Sequence, residues 1–118
     1  MKTTWKKIGI MLFAVIMAAF FISAGLSKLI QPEVHTESFV SWGYPSWFVY
    51  FTGVIEVGGA GLLLVRGLRF YGVMALGVTM IAAALTHLQA GEMAAVPVPL
   101  VLLILVGVLG ILDRKRSG

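Results

Sequence analysis

The sequence runs to 118 residues, 59% of them hydrophobic and only 12% charged, with a mean hydropathy of +0.99; that balance excludes an ordinary water-soluble domain. The net charge of +4 is no sign of a nucleic-acid partner, because the basic residues sit at the ends of apolar stretches and form no continuous patch. Cysteine is absent, so disulfides, thiolate metal sites and thiol nucleophiles are excluded, and any redox role must come from a bound cofactor or a partner.

A helix needs roughly 20 apolar residues to cross the hydrocarbon core, and four stretches of about that length are predicted, over 8–30, 47–65, 70–88 and 96–112. The expected fold is therefore all-α: a single domain over 1–118 forming an integral membrane four-helix bundle, with its longest connection over 31–46.

Lys2, Lys6 and Lys7 precede the first stretch. A secretory signal cleaved near Ser23, Ala24 and Gly25 is the alternative reading, but the apolar run continues for about 20 residues where a signal core has roughly 7 to 15. A retained first helix is expected. Near its outer end Lys28 shares a helical face with Gly25, Ala24, Phe21 and Ala14. Its side chain can snorkel to the headgroups or bend inward toward an acid on another helix.

The connection 31–46 contains Pro32, Trp42, Gly43, Tyr44 and Pro45. Trp42, Tyr44 and Trp47 fit an aromatic belt at the outer headgroups, and Trp5, Phe70 and Tyr71 fit the inner one. A short interfacial helix over 32–40 is expected, with Pro32 at its first position. His35 also falls here, and no spacing pairs it with His87 as a haem ligand.

The second stretch carries Glu56 near its centre, where an ionised side chain costs roughly 2.5 to 3.5 kcal/mol to insert, so it is expected to face other helices. Thr52, Gly53, Gly59 and Ala60 share its face and, with Gly25, are expected to let helices approach closely. A functional carboxylate and a structural polar clamp both remain open. Glu56 lies about nine residues, roughly 13 Å, below its helix start; a direct bridge to Lys28 needs stretched side chains or staggered helices, and a bridging water is the alternative. Gly58, Gly59 and Gly61 lie in an apolar helix with no following Lys or Ser/Thr, so they make no phosphate loop.

The third stretch ends at His87, beside Thr86 and Gln89. Its imidazole suits either a helix C-terminal cap or proton transfer. Lys28, Thr52, Glu56 and His87 together define a candidate ligand or proton pocket opening outward. No residue is assigned a catalytic or metal-binding role. The fourth stretch begins with Pro97 and Pro99 in its first turn, where a missing N–H is tolerated.

Cytoplasmic loops retain Lys and Arg. Lys2, Lys6, Lys7, Arg66, Arg69, Arg114, Lys115 and Arg116 fall on one side, whereas Lys28 falls on the other with Glu33, Glu37 and Glu92. The orientation expected is N-in/C-in.

The run Phe20 to Leu29, the segment from Gly43 to Trp47, the segment from Gly53 to Ala60 and the segment from Ala82 to His87 together resemble the DoxX-like membrane proteins. That resemblance implies a compact, multi-pass four-helix bundle in the bacterial cytoplasmic (inner) membrane. Members or relatives are associated with quinone-linked sulfur oxidation and with complexes that handle redox stress. The leading expectation is thus a non-catalytic subunit of a quinone-linked redox or redox-stress complex, with quinone the one cofactor suggested. Its expected partners are the lipid bilayer, redox-enzyme subunits or further copies in a homo-oligomer. A small proton-coupled transporter also remains open, although small multidrug resistance transporters place their embedded Glu in the first helix. So does a membrane-protein assembly factor docking through small-residue faces.

Overall fold

A computed structural model describes the backbone of residues 2–117 and the side chains of residues 4–115. The side chains of Lys2 and Arg116, counted in the charge asymmetry above, lie outside the described residues. Regular structure among the described residues is all-α: α1 (Lys2–Ile30), α2 (Pro32–Ser41), α3 (Phe48–Leu63), α4 (Arg69–Gln89) and α5 (Pro97–Ser117), with 3₁₀ turns at Arg66–Leu68 and Met93–Ala95.

Three helical stretches, Thr4–Ile30, Arg66–Gln89 and Met93–Lys115, are long and apolar enough to cross a membrane. The stretch predicted over 47–65 is shorter than expected. Trp47 only caps α3, and Val65 leaves the helical region with φ −99° and ψ 114°. The remaining 16 residues cover about 24 Å at 1.5 Å per residue, short of a hydrocarbon core of roughly 30 Å.

The connection 31–46 is mostly ordered. Pro32 sits in the first turn of α2, where its fixed φ suits the helix. The residue before a proline is driven out of the α region, and Gln31 takes φ −126° and ψ 60°, separating α2 from α1. Glu33 lies in the first turn, the favourable end of the dipole for an acid.

α1 packs on α3, α3 on α4 and α4 on α5, and α5 returns to touch α1. These helices enclose a core that includes Ala14, Met17, Phe21, Leu63, Leu76, Val106 and Leu109. Large apolar side chains such as Ile16, Val54, Val78 and Ile104 point outward, an apolar exterior that suits lipid. In lipid there is little hydrophobic force between helices, so close packing of small residues has to hold them. A Cβ at Gly25 would lie 2.8 Å from the Gly53 carbonyl oxygen, and one at Gly53 2.9 Å from that of Gly25. At Gly72 it would lie 2.6 Å from the Gly59 oxygen. Gly59 packs on the Leu76 side chain, and Ala60 is fully buried.

Charge segregates by end. Lys7, Arg66 and Arg69 line one groove, Lys6 and Lys115 line another, and Arg69 Nη1 lies 2.6 Å from Asp113 Oδ1. The opposite end holds Lys28, α2 and His87 around a shared cavity.

Candidate functional site

Gly25 lies against Gly53 and Val57, and Leu29 against Gly53. α1 and α3 therefore run antiparallel, and Lys28 and Glu56 stand within about a turn of the same level. Each Cα–Cβ bond leans toward its own helix N-terminus, so in an antiparallel pair the two side chains lean toward one another. Lys28 Nζ lies 2.7 Å from Glu56 Oε1. The direct contact replaces the separation of roughly 13 Å inferred by counting from the helix start, because Lys28 sits deep beside α3 and not at its rim.

The pair is well shielded, with side-chain exposures of 15% for Lys28 and 5% for Glu56. Glu56 Oε1 nevertheless has no hydrogen bond of acceptable direction. Coulomb attraction does not depend on that angle, so this is an ion pair without a directed hydrogen bond, and the oxygen keeps acceptor capacity. A buried acceptor in that condition is costly unless something else satisfies it.

The pair opens into a cavity of about 230 Å³. Its wall includes Thr52 and Glu56 from α3, His35 and Phe39 from α2, and Thr79, Met80, Thr86 and His87 from α4. Trp42 and Tyr44 complete it from the α2–α3 connection. Gly43 makes that placement feasible: its φ of +94° is one that glycine adopts without a Cβ penalty, and it turns the chain between the two aromatic residues.

Hydrogen bonds fasten this cover to α4. Thr86 Oγ1 donates to the Ala82 carbonyl at 2.7 Å, which makes Tyr44 the donor in its 2.7 Å bond to Thr86 Oγ1. Trp42 Nε1 donates to Glu92 Oε1 at 3.2 Å, and the same oxygen lies 2.8 Å from His87 Nδ1. A carboxylate only accepts, so Nδ1 carries the proton and Nε2 is left for another partner. Trp42 and His87 also meet edge to face at 5.2 Å. Phe39 packs on Trp42 at 5.2 Å, and Tyr44 stacks on Phe48 at 4.8 Å. On the α2 side His35 Nε2 lies 2.9 Å from Ser27 Oγ. Partial burial, and secondarily the charge of Lys28, hold its pKa below the ordinary 6.5.

Of the residues singled out in the sequence, Lys28, Thr52, Glu56 and His87 all line this one cavity. Lys28 reaches Glu56, whereas His87 is engaged by Glu92 and Trp42. Thr52 turns its hydroxyl back to the Phe48 carbonyl at 3.0 Å, an arrangement internal to α3. The sequence reading named His35 and Thr86 without placing them in the pocket, missed Phe39, and took Trp42 and Tyr44 as belt anchors. Their signal was local: two aromatic residues flanking a glycine mark a turn that can fold inward. It also passed over Asp113, whose pairing with Arg69 joins residues on α5 and α4 that no local spacing connects.

Fold and site thus define a helical membrane protein with a buried acid–base pair in a cavity remote from its basic segments. The chain belongs to the DoxX-like family, which it matches over residues 12–109. The match takes in Lys28, Glu56 and His87 and extends into α5. No curated protein and no solved structure matches the chain.

Proposed function

We propose that this chain crosses the bacterial cytoplasmic membrane four times, N-in/C-in, and serves as a non-catalytic subunit of a quinone-linked redox or redox-stress complex. Its cavity receives a quinone-like headgroup. The observation that carries this reading is the buried Lys28–Glu56 contact in the cavity wall, with an acceptor oxygen left short of a directed hydrogen bond.

The residues fit such a group. A cavity of about 150 Å³ is enough for benzene, so 230 Å³ accommodates a substituted ring. Quinone oxygens accept hydrogen bonds, for which Lys28 Nζ is a donor in the wall, and the hydroxyl of the reduced quinol is a donor for the open Glu56 oxygen. Phe39 and Trp42 offer aromatic surface for the ring. A bound quinone supplies two-electron, two-proton redox chemistry. The chain's own share is to orient the ring with Lys28, to accept a proton at Glu56, and to exclude water with the aromatic cover.

The fourth crossing is α3, supported by its antiparallel course along α1 from the α2 end to the Arg66 turn. Orientation is supported by the gathering of Lys6, Lys7, Arg66, Arg69 and Lys115 at one end. The transporter reading has less support, because beyond Glu56 the helices close on fully buried Ala60, Leu63 and Leu76.

The test is to purify the parent and Glu56→Gln from bacterial membranes and to extract bound quinone from equal amounts of folded protein. The parent should retain quinone and the variant little. A parent with none, or equal retention in both, would remove the reading.

A further inference from the structure

The basic end carries a second, independent feature. A groove between α1 and the α3–α4 corner is lined by the exposed Lys7 and Arg66 and the buried Arg69, with Met11, Val15 and Leu64 along its wall. Ile8, Met11 and Val15 recur every three or four residues, so they form one stripe along α1 roughly 10 Å long. Met11 and Val15 are about half exposed. Cations at the rim with an apolar track running away from them match the two halves of a phospholipid. Arg69 is held rigidly by the Leu63 carbonyl and by Asp113, which offsets its charge. Lys7 and Arg66 supply the excess.

We infer that this groove binds one anionic phospholipid, with the headgroup phosphate between Lys7 and Arg66 and an acyl chain along Ile8, Met11 and Val15. A guanidinium matches phosphate with two parallel N–H groups, whereas an ammonium is a point charge. The adjacent groove lined by Lys6 and Lys115 has no guanidinium among the described residues, and selectivity is assigned to the first. A zwitterionic lipid gains less there, because its own cation faces the same residues. The inference is separate from the quinone reading and survives its failure.

The experiment offers the purified full chain equimolar phosphatidylglycerol and phosphatidylcholine, and counts retained lipid by native mass spectrometry. Phosphatidylglycerol should dominate. Arg66→Gln should lower that preference about fivefold, the worth of one basic residue near an anionic surface. Arg114→Gln removes the same charge, but Arg114 sits over the Phe70 ring and not in the groove; it should leave the preference unchanged. Excess inorganic phosphate should not displace the lipid. Equal retention of both lipids, or an equal loss in the two arginine variants, would overturn the assignment. Full displacement by phosphate would overturn it as well, reducing the site to one for free anions.

Discussion

Glu56 is placed where an ionised carboxylate is costly, and the protein meets that cost with Lys28 at 2.7 Å. His35, beside Lys28, shows the opposite preference. Burial and that neighbouring charge favour its neutral imidazole in the folded chain. The unfolded chain therefore takes up the proton at higher pH than the folded one, and stability rises with pH across the interval between the two pKa values. Its contribution is full above 6.5 and is lost as pH falls from 6.5 through the lowered folded value. Melting in detergent should show the parent's lead over His35→Gln narrowing across that fall; a widening lead would refute the assignment. Glu56 and Lys28 could be singled out in the sequence because a charge within or near an apolar run is conspicuous. Their distance could not be, since it depends on how deeply α1 slides against α3, which the Gly25–Gly53 crossing determines.

Helix ends were legible to within about two residues at the prolines and the inter-helix turns, whereas α1 starts at Lys2, before the predicted stretch from 8, and α5 runs to Ser117, past the predicted end at 112, because the basic residues flanking each apolar run stay helical. α3 was overestimated because Leu64 and Val65 continue the apolar run after the backbone has turned. Which glycines matter was only partly legible. Gly25, Gly53 and Gly59 stood out, but Gly72, at the tightest approach, did not, because it and Gly77 are five residues apart in α4 and do not share the four-residue spacing of a close-packing face. A methyl at Gly72 meets the Gly59 carbonyl oxygen at 2.6 Å, whereas one at Gly58 meets nothing within 4 Å. Gly72→Ala should therefore destabilise the fold by roughly 1–3 kcal/mol through overpacking. Gly58→Ala should be neutral or stabilising by up to about 1 kcal/mol, from helix propensity alone. Paired thermal or denaturant melts check this contrast, and equal effects would mean that α3 and α4 are not so closely packed.

Across the whole molecule, basic residues mark one end and the cavity marks the other, which gives the topology a direct test. The chain has no cysteine, so single cysteines at Ser41 and Gly67 report on opposite ends without background. In intact cells an impermeant maleimide should label Ser41→Cys, and should reach Gly67→Cys only after permeabilisation. The reverse pattern would invert the proposed orientation. The fold class was legible because hydropathy is a property of whole segments; of the cavity, Lys28, Thr52, Glu56 and His87 were legible but the aromatic cover was not, because it comes from a connection folded over a distant helix end. Trp42, in the cavity wall, allows the central claim to be tested in place. In a Trp5→Phe, Trp47→Phe background, Trp42 is the remaining tryptophan, and a short-tailed quinone is titrated into the protein in lipid nanodiscs. The account predicts saturable quenching of Trp42 that is lost in Glu56→Gln and in Lys28→Gln; quenching that never saturates, or that both variants retain unchanged, would contradict it.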